Sequence, residues 1–221
     1  MKVFRFFMMP IEWKISTDFV EYTEAVAKME QRVADIRAAT EPEMIWLLEH
    51  PPCYTAGTSA RDADLLSSAF PVYDTGRGGQ YTYHGPGQRV AYAMLDLRKR
   101  QQAPDIKKYI FNLEQWIIET LAVFGVCGER RSGRVGIWLD LTRYGQRQQD
   151  AKIAAIGVRV RHWVTYHGIS INVNPDLSHF EGIVPCGIAD AGVTSLKALG
   201  LDVSLADVDS ALKEQAQKLF S

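Results

Sequence analysis

The sequence predicts an α+β fold in which helices pack on a mixed or antiparallel sheet. Runs typical of strands outnumber runs typical of helices, and they occur in groups rather than alternating with helices one by one. The chain has 221 residues and no repeat or linker, so a single domain over residues 1–221 is expected. Its apolar content of 47% is sufficient for a sizeable core.

The composition excludes several classes of function. The chain has 25 Lys and Arg against 26 Asp and Glu, so no net positive field favours nucleic acid. No run approaches the ~18 consecutive apolar residues of a membrane span, and residues 1–10 do not resemble a signal peptide. The three cysteines have no paired spacing, which favours a cytoplasmic enzyme with free thiols. We expect a monomer, because no long exposed apolar stripe is apparent.

The first quarter of the chain predicts two strands around a helix. Met1–Phe7 has the composition of an opening strand. A helix is predicted from the capping-box-like pair Asp18 and Glu21 to about Thr40. Met44–Leu48 is a short apolar run that predicts a buried strand, ended by two prolines. The apolar face of the helix, at helical spacing, comprises Phe19, Tyr22, Met29, Val33 and Ile36.

The rest of the chain predicts two further helices and a group of strands. One helix is expected from Pro104 to Gly125, and the last one is capped by Ser204 and Asp207 and runs to the end of the chain. The apolar face of the first, interpreted as core, comprises Ile106, Ile110, Leu113, Ile117, Leu121 and Phe124. Strands are predicted at Val135–Leu139, Ile153–Val160 and Ile169–Val173, and Tyr81–Tyr83 alternates like a strand.

Four segments depart from ordinary core-building sequence. The densest in glycine, residues 76–88, has five glycines in thirteen residues, which permit either close contact with a ligand or tight turns. It is not a Walker loop, since no Gly-Lys-Ser/Thr follows. Taken singly, Lys152 would place its charged end at the surface and Cys186 would be an inert buried thiol. The four segments are EHPPCYTAG at 49–57, GRGGQYTYHGPGQ at 76–88, AKIAAIGVR at 151–159 continuing to Ser170, and IVPCGI at 183–188 followed by GVTSL.

Together these segments resemble the signatures of the octanoyltransferase family, in that family's order from Glu49 to Leu196. The resemblance implies the lipoate–biotin protein ligase catalytic-domain fold and a reaction without ATP or another cofactor. An octanoyl group would pass from octanoyl-acyl carrier protein to Cys186 as a thioester, and then to a lysine of a lipoyl domain. The acceptors would be the lipoyl domains of 2-oxoacid dehydrogenase complexes and the glycine cleavage H protein.

The resemblance also assigns roles to individual residues. A free thiol has a pKa of ~8.5, so a neighbouring ammonium, that of Lys152, would favour the reactive thiolate of Cys186. Lys152 would then act as base toward the incoming amine, with backbone N–H groups near Cys186 and Gly187 as oxyanion donors. His84 would orient the acyl carbonyl or assist proton transfer, and His50 would be a structural neighbour. Substrate binding is carried onto Arg77, Gly78, Gly79, Gln80, Tyr81, Thr82, Tyr83, His84, Ala155, Ile156, Gly157, Gly168, Ile169 and Ser170.

Three alternatives stay open on the sequence. An ATP-dependent lipoate ligase would use Lys152 to contact an acyl adenylate and would need no nucleophilic cysteine. A noncatalytic lipoyl-domain-binding protein would need the recognition surface but not both Lys152 and Cys186, and a thioesterase would release octanoate to water. Cys53 and Cys127 are not candidates for the nucleophile, and Cys127 is expected to be structural. No cluster of His, Cys or Asp has metal-ligand spacing, so no metal is expected.

Overall fold

A mixed eight-stranded sheet runs through the part of the chain that the computed structural model describes, which is residues 11–146, 150–184 and 192–220. The strand order is β1-β2-β6-β10-β9-β8-β7, with β11 beside β9. The pairs β1–β2 and β9–β11 are parallel and the other neighbours are antiparallel, as predicted for a mixed sheet. The strands are β1 Glu12–Ile15, β2 Met44–Leu48, β6 Gln88–Met94, β7 Glu129–Arg131, β8 Arg134–Asp140, β9 Asp150–Arg161, β10 Val164–Asn172 and β11 Gly192–Val193.

A smaller sheet of three strands stands beside the main one. Its order is β4-β3-β5, formed by β4 Val72–Asp74, β3 Cys53–Ala56 and β5 Tyr81–His84. The predicted alternation at Tyr81–Tyr83 is therefore a strand, and both tyrosines are buried in a cluster with Phe180. This second sheet places the glycine-rich segment opposite the middle of β9 and β10, where the Gly78 amide donates to the Val158 carbonyl at 2.9 Å.

Helices cover both faces of the main sheet. Helix α1 (Tyr22–Ala38) packs on one face through Met29, Val33 and Ile36. Helices α3 (Ile106–Ala122) and α4 (Leu205–Phe220) pack together on the other face, where Trp116 donates from its indole to the Leu212 carbonyl. A short helix, α2 (Leu97–Arg100), follows β6. None of the helices among the described residues is long and apolar enough to cross a membrane.

Most predicted elements are confirmed, and the errors lie at their ends. Helix α1 starts later than predicted, because Glu21 is its N-cap and no side chain caps it, and Phe19 is 54% exposed rather than on the packed face. Helix α3 starts at Ile106, since Asp105 accepts from the amides of Lys107 and Lys108, and Ile106 is 39% exposed. These residues precede or open the first turn, where the packed stripe is not yet established. The predicted strand Met1–Phe7 lies outside the described residues.

The capping of the last helix is confirmed. Ser204 Oγ accepts from the Asp207 amide, and the Asp207 carboxylate accepts from the Ser204 amide, which is a capping box. The central strands are also confirmed. Strands β8 and β9 each contain the predicted run and extend beyond it, whereas β10 begins earlier than predicted, at Val164, and ends at Asn172 rather than Val173. The buried run Met44–Leu48 is the strand β2, and all five of its residues are buried.

Candidate active site

A cavity of about 270 Å³ lies between the small sheet and strands β9 and β10 of the main sheet. This volume is just below the ~300–1,000 Å³ of pockets that hold drug-sized ligands, so the cavity suits a small molecule or one extended aliphatic chain. The structure brings Lys152 and all but two of the predicted substrate-binding residues to its wall. These are Arg77, Gly79, Gln80, Tyr81, Thr82, His84, Ala155, Ile156, Gly157, Gly168, Ile169 and Ser170.

The two exceptions are Gly78 and Tyr83, which do not line the cavity. Gly78 donates its amide to β9. Tyr83 alternates to the other face of β5, where its hydroxyl lies 2.8 Å from His179 Nδ1. The period of two along a strand places Tyr83 on the face opposite Thr82 and His84, which line the cavity. Tyr81 shares the face of Tyr83 and lines the cavity from the first position of β5.

Arg77 organises the glycine-rich loop. Its buried guanidinium donates to the main-chain carbonyls of Thr55 at 2.7 Å, Gln80 at 3.0 Å and Gly78 at 3.0 Å. A side chain at Gly157 would place its Cβ 2.8 Å from Arg77 Cδ. Packing of the loop on β9 therefore explains Gly157, and Arg77 acts on the cavity mainly by fixing the shape of its wall.

Gly168 serves strand pairing as well as the cavity. A Cβ at this position would lie 2.2 Å from the main-chain carbonyl oxygen of Ala91 in β6. Because the clash is with the main chain, rotation of a side chain could not relieve it.

We expect Gly168→Ala to lower the free energy of unfolding by about 1–3 kcal/mol, as for other overpacked positions, measured by urea denaturation. Gly78→Ala is the matched control: its Cβ would meet only the Val158 carbonyl, at 3.7 Å, and its stability should equal that of the wild type. Equal stability of both variants would contradict this reading of Gly168.

One end of the cavity is closed by a cluster of buried histidine and tyrosine side chains. His50 contacts Val20 O through Nδ1 at 2.5 Å and the Tyr92 hydroxyl through Nε2 at 2.7 Å, so Nδ1 is the donor and Nε2 accepts from the tyrosine. Tyr22 stacks near His84 with 6.4 Å between ring centroids. His50 is thus a neighbour of the site, as expected. It does not line the cavity itself but contacts Tyr92, which does.

Burial keeps the histidines of this cluster neutral. It lowers the pKa of His50 to about 4 and that of His167 to about 3. The pKa of His84 also lies well below its ordinary value, first because of burial and second because of the neighbouring His50. Burial raises the pKa of Tyr22 to about 12. At neutral pH the cluster therefore carries no charge of its own and can offer neutral imidazole nitrogens as acceptors.

This burial predicts acid sensitivity of the fold. In the unfolded chain His50 takes up a proton below pH 6.5, whereas in the folded chain it does so only near pH 4, so stability falls as the pH drops through that window. His50 should contribute up to about 1.4 kcal/mol per pH unit to this loss. Urea denaturation between pH 6.5 and 5 should give a shallower pH dependence for His50→Phe than for the wild type.

Lys152 is buried rather than extended to the surface. It lies on β9, is 6% exposed, and its ammonium sits 5.1 Å from the centre of the Trp138 ring. Gly136 makes room for it, because a Cβ there would lie 2.7 Å from Lys152 Cε. The interpretation of this lysine as an ordinary surface side chain is therefore wrong, and Lys152 is part of the cavity wall.

The described chain on both sides of the Cys186 segment is held by main-chain hydrogen bonds or strand pairing. The Val184 amide donates to the Asp64 carbonyl at 2.8 Å. Strand β11 is parallel to β9 with Val193 in register with Lys152, and Val193 lines the cavity. Cys186 itself and the predicted oxyanion donors around Gly187 lie outside the described residues.

The other two cysteines differ in their environments. Burial raises the pKa of the Cys53 thiol to about 12, with a further contribution from the negative charge of Glu21, so Cys53 stays protonated at neutral pH. Cys127 is exposed, and its main-chain amide donates to the Tyr144 hydroxyl at 3.0 Å. A thiol that stays protonated is a poor nucleophile, which agrees with leaving Cys53 out of the chemistry.

Sequence reasoning missed several residues of the cavity wall. Tyr22 was assigned to the helix core, and Tyr92 lies in a strand whose seven residues are all buried. His167 and Asn172 had a signal, since they flank the segment Gly168–Ser170. Within residues 11–146, 150–184 and 192–220, no group of three or more His, Cys, Asp or Glu could hold a metal ion. The missed lining residues are Tyr22, Ser59, Gln88, Val90, Tyr92, Gly133, Arg134, Val135, Ala154, His167, Asn172, Phe180 and Val193.

Comparison with known sequences gives one family model and a set of close relatives. Residues 21–217 match the model described as lipoyl protein ligase A/B catalytic domain. An octanoyltransferase of Paramagnetospirillum magneticum is 63% identical over 212 residues, covering 96% of this chain and 97% of the relative. An octanoyltransferase of Bartonella quintana is 55% identical over 216 residues, covering 96% of this chain and 87% of the relative.

Comparison with solved structures finds the same fold at low sequence identity. A lipoate-protein ligase A, solved with bound ATP, superposes with a TM-score of 0.70 at 13% identity, over 95% of this chain and 85% of that chain. A bipartite lipoate protein ligase of Thermoplasma acidophilum gives a TM-score of 0.67 at 13% identity, over 95% and 84% of the two chains. The predicted ligase-type catalytic fold is therefore confirmed.

Proposed function

Because the chain belongs to the lipoyl protein ligase A/B catalytic domain family and is an enzyme of the octanoyltransferase type that acts in protein lipoylation, we propose that it works through a thioester on Cys186. The donor is octanoyl-acyl carrier protein and the acceptor is a lysine of a lipoyl domain. Those lipoyl domains belong to 2-oxoacid dehydrogenase complexes and to the glycine cleavage H protein. The reaction needs no ATP.

The observation that carries this proposal is the burial of Lys152 in the cavity wall, in register with the strand that follows the Cys186 segment. An ammonium beside a thiol stabilises the thiolate, which is the reactive form. The placement of Lys152 supports its pairing with Cys186.

In the first half-reaction, the Cys186 thiolate attacks the carbonyl carbon of the octanoyl thioester. A new C–S bond forms, the bond to the carrier's sulfur breaks, and the carrier leaves as a thiolate that takes a proton from Lys152. Ile156 and Ile169 supply apolar wall for the acyl chain. One thioester replaces another, so this step is nearly balanced in free energy.

In the second half-reaction, the neutral amine of the target lysine attacks the same carbonyl carbon. A C–N bond forms, the C–S bond breaks with its electron pair on Cys186 Sγ, and the amine nitrogen gives up one proton to a base in the site. Lys152, neutral after the first half-reaction, can take that proton. Conversion of a thioester to an amide runs downhill, which is why no nucleotide is required.

Intact-protein mass spectrometry tests the proposal directly. The enzyme is mixed with octanoyl-acyl carrier protein without ATP, and we expect an octanoyl adduct that maps to Cys186 and disappears when an apo lipoyl domain is added. Cys53→Ala and Cys127→Ala should form the same adduct. Modification of the lipoyl domain only with free octanoate and ATP would identify a ligase. Release of free octanoate with no modified lipoyl domain would identify a thioesterase.

A further inference from the structure

A chain of buried amides connects His84 to the main chain just after β11. Asn172 donates from Nδ2 to the Thr194 carbonyl at 3.0 Å. Gln88 donates from Nε2 to Asn172 Oδ1 at 2.9 Å. Gln88 Oε1 then lies 2.6 Å from His84 Nδ1. All four residues are more than nine-tenths buried, so water does not compete for these bonds.

Main-chain carbonyls fix the direction of every bond in this relay of Thr194, Asn172, Gln88 and His84. A carbonyl oxygen only accepts, so the Asn172 atom facing Thr194 is the amide nitrogen and Oδ1 faces Gln88. Gln88 Nε2 also donates to the Tyr83 carbonyl at 3.2 Å, which turns Oε1 toward His84. An acceptor at that place requires an N–H on His84 Nδ1.

The other ring nitrogen of His84 is thereby defined. In a neutral imidazole only one nitrogen carries the proton, so Nε2 keeps its lone pair and is an acceptor. Burial favours the neutral ring. His84 lines the cavity, and the relay occupies its Nδ1 side. A ring in this tautomer has no N–H at Nε2 with which to polarise an acyl carbonyl.

We propose that Gln88 and Asn172 are positioning residues that hold His84 with its proton on Nδ1, so that Nε2 accepts a proton in the acyl-transfer step. The use of Nε2 rests on the proposed function, whereas the tautomer does not. Of the two roles open for His84, the relay selects proton transfer over orientation of the carbonyl. In this proposal Gln88 and Asn172 act through His84.

The step assigned to Nε2 belongs to the second half-reaction. As the C–N bond forms, the amine nitrogen becomes acidic and one of its protons passes to Nε2, giving an imidazolium that Gln88 Oε1 stabilises at Nδ1. The C–S bond breaks with its electron pair on Cys186 Sγ, and the proton passes from Nε2 to Lys152, which is neutral after the first half-reaction. The Lys152 ammonium and the Cys186 thiolate are thereby restored for the next cycle.

The tautomer can be measured without any activity assay. In protein labelled with ¹⁵N-histidine, the two ring-nitrogen shifts of His84 distinguish Nδ1–H from Nε2–H, and His84→Gln assigns its signals among the five histidines. We expect Nδ1–H in the wild type at pH 7. Gln88→Met, which keeps the length of the side chain and removes its acceptor, should move His84 toward Nε2–H. Asn172→Ala should move it in the same direction, because Gln88 is then held only by Tyr83.

Kinetics of the two half-reactions separate this proposal from the proposed function. We expect Gln88→Met to load octanoate on Cys186 at the wild-type rate but to discharge it to an apo lipoyl domain about 10²–10⁴-fold more slowly, the range for loss of general base catalysis. Gln215→Met is the matched control, because Gln215 is equally buried on α4 and outside the relay. It should leave both the tautomer and the discharge rate unchanged.

Each outcome has a distinct meaning. Nε2–H in the wild type, or wild-type discharge by a Gln88→Met variant whose tautomer has changed, would overturn the relay. Failure of the wild type to form an acyl-enzyme would overturn the proposed function and leave the tautomer result standing. If Gln88→Met does not fold, Asn172→Ala and the wild-type spectrum still decide the question.

Discussion

Replacement of Cys186 by alanine should remove octanoyl transfer almost completely, by at least ~10⁴ in kcat, in line with the loss of other catalytic nucleophiles. The reason is that no other thiol can take its place: burial holds the Cys53 thiol protonated, and Cys127 is exposed and is not among the residues that line the cavity. The measurement is transfer from octanoyl-acyl carrier protein to an apo lipoyl domain, with the acyl-enzyme followed by mass spectrometry.

The cysteine controls make this result specific. Cys53→Ala and Cys127→Ala should each keep the rate within a few-fold of the wild type. Thermal unfolding of all three variants checks that the fold is retained. Transfer by Cys186→Ala at a substantial fraction of the wild-type rate would rule out the thioester, and dependence of that residual rate on ATP would point to the adenylate route of a ligase.

Lys152→Met should lower kcat by about 10²–10⁴-fold, the usual range for loss of a proton-transfer group. Methionine is close to lysine in length and fills the space beside Trp138 and Gly136, so the cavity wall should keep its shape. On the proposed function, loss of the ammonium also removes the stabilisation of the Cys186 thiolate. The apparent pKa for alkylation of Cys186 by iodoacetamide should therefore rise.

The alkylation profile separates a chemical role of Lys152 from a structural one. Lys197→Met, at an exposed lysine paired with Asp202, should leave both the rate and the alkylation profile unchanged. An unchanged alkylation profile in Lys152→Met would mean that its ammonium does not act on the thiol. A lower stability with a normal profile would assign Lys152 to the fold alone.

Much of the fold could be predicted because it depends on local patterns. The apolar run at 44–48 is buried on both faces of the sheet, and such a run has few alternatives to a central strand. In the capping box at Ser204 and Asp207, two side chains three positions apart accept hydrogen bonds from main-chain amides at the start of α4. Where no cap was available, as before Tyr22, the predicted start of the helix was wrong by several residues.

The sequence by itself did not predict β1, β3, β4, β6, β7 or β11. It did determine β2, β5, β8, β9 and β10, the main helices and two segments, 76–88 and 151–170, that line the cavity, because each of these is encoded by residues close together along the chain. Only the tertiary structure decided what each residue does there. Gly168 is required by close packing against the main chain of β6, and Gly157 by packing against Arg77. Lys152 is buried in the cavity wall rather than extended to the surface. The bond from Gln88 to Asn172 joins residues 84 positions apart. Such a contact exists only once β6 and β10 pair, since side chains distant in sequence interact only when the sheet fixes their register.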